Sequence, residues 1–594
     1  MMMSKRIMAL VVGATLGLAA QAETFDQWAD KVAIEKVGHN PELATSKQYF
    51  SGKEQDALDR KLTPDTRAFR AAEVVEAKRA LNEMQKFDLS KLSTQQRASA
   101  ATIAWSLHGT IDNAQFEDYE FVFNQFSGLH VQLVNFMTQT HPIRNKRDVE
   151  NYLVRLKQVA EKMDTGIANA RDAAKRGFLM PSFITQASIG QLDRFLAPKP
   201  QENVFVATLV ERMGKVKELS AAEQAQFAAE ASATVERSVI PAFQRTRALL
   251  QDELPHTGMD AGLWRLPGGA QAYANRLRQM TTTELTPQQI HELGLAEVAR
   301  IEKEMDGLFT QLGYTSGTMK ERMAKLEKDS QPTEADPRPM LLARYDSILR
   351  DAEQRAKLLF DKVPKAPVIV QREPIFTEKT AAAHYTWPAK DGSRPGIFWA
   401  PLPGPEFRIN TMRTLVYHEG VPGHHFQIAL QQENTSLPRY RQDRVFAAGS
   451  AFSEGWALYA EQLAAENGWY GDDIKGHLGQ LDQELFRARR LVVDTGLHAM
   501  KWTRQQAIDY GVPATEVDRY VAMPGQACSY KIGMLRILQL RAKAQQALGD
   551  KFSIKAYHSV VLDTGSVPLT VLEQVVDDWI AAQKGGVAAA RQSH

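Results

Sequence analysis

The chain has 594 residues, 44% hydrophobic and 24% charged, the composition of a soluble globular protein long enough for two domains or one large two-lobed domain. Its 72 basic and 70 acidic residues are spread throughout and leave a net charge of +2, with no basic stripe and no acidic tail, which argues against nucleic acid as a partner. The single cysteine, Cys528, rules out intrachain disulfides and reads as a small packing residue rather than a nucleophile.

At the N-terminus, Lys5-Arg6 precede an apolar run from Ile7 to Ala20 and then Ala20-Gln21-Ala22. A short positive region, a brief hydrophobic stretch and an A-x-A site form an export signal, with cleavage expected after Ala22. The run is too short to span a bilayer, so no stable membrane anchor is expected, and no cysteine succeeds it to carry a lipid. The destination is periplasmic or secreted.

Helical periodicity dominates the chain beyond the signal. In residues 149–167, Val149, Tyr152, Leu153, Leu156, Val159, Met163 and Ile167 recur at steps of three and four. The same pattern runs through 64–87, 94–112, 220–252, 338–362, 476–501 and 529–548. Thr286-Pro287-Gln288-Gln289 supplies an N-cap, a proline at the first helical position and a capping-box glutamine for a long amphipathic helix. Leu266-Pro267-Gly268-Gly269 and the Ser/Gln/Pro segment 330–339 are the best candidate boundaries, and the first divides an N-terminal helical lobe (23–266) from a C-terminal catalytic lobe (267–584). Strand-like sequence is confined to 366–401, where Pro367–Gln371 and Pro395–Pro401 carry β-branched and aromatic residues, with Asp391-Gly392-Ser393 as a turn between short strands. Residues 585–594 are small and polar and predict a disordered tail.

The chemistry concentrates at His418-Glu419-Gly-Val-Pro422-Gly423-His424-His425-Phe-Gln427. The H-E-x-x-H signature of zinc hydrolases places two histidines one helical turn apart with the glutamate aimed at a metal-bound water. Here Pro422 occupies the position of the second histidine. Proline has no N–H and clashes with the preceding turn, so a regular helix cannot continue, and a bulge or widened turn is predicted. Three protein ligands are needed: His418, one of His424 or His425, and a downstream carboxylate, leaving Glu419 as general base. Glu454, in the apolar Phe452-Ser453-Glu454-Gly455-Trp456 segment, is the best carboxylate, with Glu461, seven residues on, the runner-up. A single His-Glu pair on a helix is usually only a satisfied polar pair; three histidines and a glutamate within eight residues make the stronger case.

On these residues the chain resembles the bacterial domain-of-unknown-function family 885 (DUF885), whose signature H-E-x-x-P-G-H-H-x-Q is matched by His418, Glu419, Pro422, Gly423, His424, His425 and Gln427. The similarity extends to Ser453–Trp456, Asp494–His498 and Tyr530–Gly533. That family in turn resembles the helical gluzincin peptidases, which include thermostable carboxypeptidases, oligoendopeptidases and angiotensin-converting-enzyme-like enzymes. The resemblance implies a mainly α, two-lobed gluzincin-like fold with a deep cleft and a small β-sheet near the active-site helix. Aligning the Gly-His of those enzymes with Gly423-His424 favours His424 as second ligand. In an unbroken helix His425 would lie roughly 10 Å along the axis from His418, too far to share an ion. The resemblance also marks Tyr530 and His498 as candidates to stabilise an oxyanion, although each alone reads more readily as a packing residue. Asp494 and Gln427 are candidates to hold the ligand imidazoles, and Arg489, Arg490 and Lys531 stand where a cation for a substrate carboxylate could be sought.

The reading is an exported zinc (Zn2+) hydrolase of short peptides, carboxypeptidase- or dipeptidase-like, with His418, His424 and Glu454 as metal ligands and Glu419 as base. Its rivals are a zinc amidase acting on cell-wall peptides or other amides, and a non-catalytic zinc-binding protein. The intact Glu419 argues against the last. The sequence assigns no oligomeric state.

Overall fold

In the computed structural model, residues 23–375, 378–379, 381–390, 392–446 and 448–592 are described, with backbone only from 586. The export signal at 1–22 and Asp391 of the expected turn lie outside the described residues. The architecture is mainly α-helical with one small sheet.

Local sequence accounts for the helix boundaries. Thr286 caps the helix Pro287–Gln311, its hydroxyl accepting from Gln289 N while the Gln289 side chain returns to the cap. Residues 220–252 form a nearly continuous rod: helices Ala221–Thr234 and Ile240–Glu253 are joined by a π-helical turn at Val235–Val239, where Pro241 withdraws a backbone donor. The periodic stretch 149–167 is divided between helices Lys146–Leu156 and Val159–Lys175. At the break, the Gln158 side chain accepts from Leu62 N and donates to Arg60 O, an anchor to a distant loop that periodicity does not reveal.

The sheet has β1 (Val368–Arg372), β2 (His384–Thr386) and β3 (Gly396–Ala400) in the order β1-β3-β2. β1 and β3 are parallel, with Val368 opposite Gly396; β2 and β3 are antiparallel, with Tyr385 opposite Phe398. Gly392, at φ +74°, turns the chain between β2 and β3. The central strand buries Ile397, Phe398 and Ala400, and the sheet packs against the segment carrying His418.

The main core draws on both sides of residue 266, from Leu62 and Phe123 through Leu263 and Leu266 to Phe426, Trp456 and Ile580. The 266/267 boundary therefore divides the chain without dividing the core. A smaller cluster joins Trp28 and Ile103 to Tyr440 and Phe446. The last helix, Leu569–Gln592, carries through most of the tail for which the sequence predicts disorder. Ala588, Ala589 and Ala590 are the strongest helix formers and offset the Gly585-Gly586 pair.

Candidate metal centre

The stretched motif breaks its helix. A short helix, Met412–Leu415, widens into a π-helical turn at Val416–Gly420, Val421 is extended, and a new helix begins at His424 and runs to Glu433. Gly423 makes the fold-back possible: a Cβ there would lie 1.9 Å from His418 O and 2.3 Å from Tyr417 O, so the backbone can close only with glycine. Trp456 Nε1 donates to Pro422 O at 2.8 Å and ties the turn to the neighbouring helix Ala451–Glu466. The result is that His418 and His424 face one another with ring centroids 4.8 Å apart.

Glu454, in the first turn of the Ala451–Glu466 helix, completes the group. Its Oε2 lies 3.8 Å from His418 Nε2 and 3.5 Å from His424 Nε2. Ligand atoms from the three residues fall within 4.8 Å of one another, and this is the one such grouping among the described residues. A tetrahedral zinc with bonds of about 2.0–2.1 Å separates its ligand atoms by about 3.4 Å. Two imidazole nitrogens and a carboxylate at these spacings fit that ion.

The second glutamate has a different place. Glu461 Oε1 lies 2.6 Å from His418 Nδ1, on the far side of the ring from Glu454. Being seven residues apart, the two acids share a helix face and bracket one imidazole, so Glu461 is the partner of a candidate ligand rather than a member of the trio. Burial opposes protonation of His418, but Glu454 and Glu461 outweigh it and raise the ring to about 10. For Glu454, burial is outweighed by His418 and His424, which hold the carboxyl well below its usual range. On the other histidine, the Gln427 amide stands 3.0 Å from His424 Nδ1 and donates to Ser453 O at 2.8 Å. His425 points elsewhere, with Nδ1 2.8 Å from the Tyr385 hydroxyl, and burial lowers it to about 4.

Glu419 is buried beside the trio. Burial raises its pKa against the pull of His418 and His424, and His384 on β2 is close enough to contribute. The group therefore has a proton affinity above that of a free carboxylate, as suits a base.

Tyr530 is half-buried on the helix Gln526–Leu548, which meets the Glu454 helix where Gly533 packs on Gly455 and the Ser529 hydroxyl lies 2.6 Å from that of Ser450. The Arg490 guanidinium sits 4.5 Å from the Tyr530 ring centroid.

His498 does not have a free nitrogen. Nδ1 accepts from Leu263 N at 3.1 Å and Nε2 donates to Tyr520 O at 3.1 Å, so both ring nitrogens are committed to backbone and neither can serve an oxyanion. Burial keeps the ring neutral, at about 4. Asp494 likewise holds no ligand imidazole: it accepts from the Tyr273 hydroxyl and from Gly525 N. Lys531 is fully buried between Glu297 (3.0 Å) and Glu484 (2.6 Å), and Arg489 pairs with Glu302. These contacts join residues more than 20 positions apart and leave no local mark in the sequence. The seven-residue spacing of Glu454 and Glu461 was the signal available for Glu461.

The chain belongs to the family described as bacterial protein of unknown function (DUF885), which matches over residues 41–576. No curated protein matches it. Among solved structures it is similar to a "putative lipoprotein" from Colwellia psychrerythraea, with 31% identity and a TM-score of 0.86 over 94% of this chain and all of that one. A "putative lipoprotein of unknown function" from Shewanella oneidensis shares the fold at 18% identity and a TM-score of 0.71, over 93% of this chain and all of that one.

Proposed function

We propose that this protein is a zinc-dependent hydrolase of peptide bonds, acting on short peptides at the bacterial cell envelope. The observation that carries the reading is the convergence of His418 Nε2, His424 Nε2 and Glu454 Oε2, with Glu419 buried alongside. His418, His424 and Glu454 hold the ion, and zinc so held supplies a Lewis acid that polarises a carbonyl and brings the pKa of water down to about 7.

The protein's own groups do the rest. Glu461 accepts the Nδ1 proton of His418 and so leaves Nε2 unprotonated for ligation. Gln427 positions the His424 ring, its amide nitrogen standing 3.0 Å from Nδ1. Glu419 takes a proton from the attacking water and passes one to the leaving nitrogen, and its raised pKa favours the first of these transfers. Tyr530 is the remaining candidate to donate to the developing oxyanion, since its ring is steered by Arg490 while His498 is engaged elsewhere. The outer edge of β2 pairs with no other strand among the described residues, and an extended peptide can add there, beside His384 and Glu419. This reading places the substrate in a gluzincin-like cleft. The export signal supports an envelope location, and so does the description of both similar structures as "putative lipoproteins". No helix among the described residues is long and apolar enough to cross a membrane.

Replacing Glu419 by glutamine tests the assignment. Glu419→Gln is expected to keep bound zinc and thermal stability while lowering peptide turnover by about 10²- to 10⁴-fold. Unchanged turnover in that variant overturns the mechanism.

A further inference from the structure

Just beyond β2 the chain gathers cations that the hydrolytic chemistry does not use. Trp387 is the next residue after the strand, with Lys47 Nζ 4.9 Å and Arg444 Cζ 5.1 Å from its ring centroid. Lys390 and Arg439 approach the same place and share Asp443. Among the described residues Asp443 is the single carboxylate paired with any of these four; Lys47 and Arg444 are in no ion pair, although Asp443 is near enough to act on Lys47.

Arg444 is built into position. Its φ of +52° is the left-handed region that a side-chain-bearing residue rarely adopts. Nε donates to Gln431 Oε1 at 2.8 Å and Nη1 to the Ser453 hydroxyl at 3.0 Å, while Nη2 is buried with no partner. Ser453 is the residue before Glu454, and its carbonyl accepts from Gln427, so the guanidinium is tied through the Ser453 hydroxyl to the residue beside the candidate ligand Glu454. Burial, and then the neighbouring Arg444 charge, hold the Lys47 ammonium below its usual range. Two cations packed against one aromatic ring, one of them with a buried guanidinium nitrogen that has no partner, suit a carboxylate.

We propose that Arg444 and Lys47, standing over Trp387 at the end of β2, form a carboxylate-binding subsite that selects peptides carrying a negative charge on one side of the cleaved bond. The proposal rests on the peptide-hydrolase reading and adds the substrate class to it. Lys47 comes from the N-terminal region and Trp387 from the region of the sheet, so the subsite assembles only in the folded whole. The carboxylate could be a C-terminal one or an acidic side chain.

The test is calorimetric binding to the zinc-loaded, full-length Glu419→Gln protein. Three probes are compared: N-acetyl-tetraalanine as free acid, the same peptide as carboxamide, and the carboxamide with its last residue changed to glutamate. The expected result is at least tenfold tighter binding of the free acid or of the glutamate carboxamide than of the neutral carboxamide. Which of the two binds identifies the source of the charge. Arg444→Gln is expected to abolish the difference, and Lys47→Gln, at a partly exposed position, to reduce it even if the arginine variant fails to fold. Equal binding of all three peptides, absence of binding, or a preference that survives both substitutions overturns the subsite. Hydrolysis of the same peptides by the unsubstituted protein is read separately. Preferential binding without turnover retains the subsite and rejects the hydrolase reading, whereas turnover indifferent to the carboxylate does the reverse.

Discussion

Two glutamates seven residues apart treat the two nitrogens of His418 differently. Glu454 stands at Nε2 together with His424, and Glu461 stands at Nδ1. A carboxylate on the far nitrogen fixes the tautomer and raises the basicity of the near one, and loss of such a partner typically costs 10- to 100-fold in metal affinity. Glu461→Gln is therefore expected to weaken zinc by about that factor while leaving the three ligand atoms in place, as read by competition with a chromogenic chelator. His425→Gln is the control, because Nδ1 of that ring serves Tyr385; affinity lost equally in both variants would show that His425 had been misplaced.

At the scale of elements, glycines set how closely the parts of the site approach. Gly423 lets the chain fold back after Pro422, and Gly455 lets the Glu454 helix lie against Gly533 of the helix Gln526–Leu548. A Cβ on Gly455 would come within 2.4 Å of Gly533 Cα and carbonyl carbon, which are backbone atoms and cannot rotate away. Gly455→Ala must separate the two helices, at a cost of about 1–3 kcal/mol in stability. Because Glu454 is the adjacent residue, the same variant is expected to lose zinc affinity, and urea unfolding with metal titration measures both effects. A variant of unchanged stability would contradict the close packing. Pro422 made the break in the motif helix legible in advance, and the β-branched and aromatic runs at 366–401 announced two of the three strands. The tight glycine contacts were not legible, since a glycine in a helix says nothing of what lies opposite it.

Over the whole molecule, buried histidines couple the fold to pH. His130, His141, His498 and His558 are held neutral by burial, with pKa values of about 4, 3, 4 and 4 against an ordinary 6.5. The unfolded chain takes these protons first, so acid favours unfolding. The contribution is intact above about pH 6.5 and is lost as the pH falls towards 4, at up to about 1.4 kcal/mol per pH unit for each group. Calorimetry is expected to show a midpoint several degrees lower at pH 5 than at pH 7, and an unchanged midpoint would refute the burial argument. The family resemblance pointed to the grouping of His418, His424 and Glu454, and the sequence made the helical class and the capping box at Thr286 legible because each is written in local spacing. The continuous core across residue 266 was not, nor were the backbone partners of His498 and the Lys47–Trp387 approach. These depend on contacts between residues up to several hundred positions apart, which periodicity and motif spacing do not encode.

The central claim is that His418, His424 and Glu454 hold one zinc ion for peptide hydrolysis. Its most direct test is the activity of metal-stripped protein titrated with zinc, with mass analysis of a short-peptide mixture as the readout. Turnover is predicted to be absent from the stripped protein and to rise linearly to a plateau at one equivalent of zinc. Hydrolysis that persists without metal, or zinc bound at one equivalent with no cleavage of any peptide, would contradict the claim.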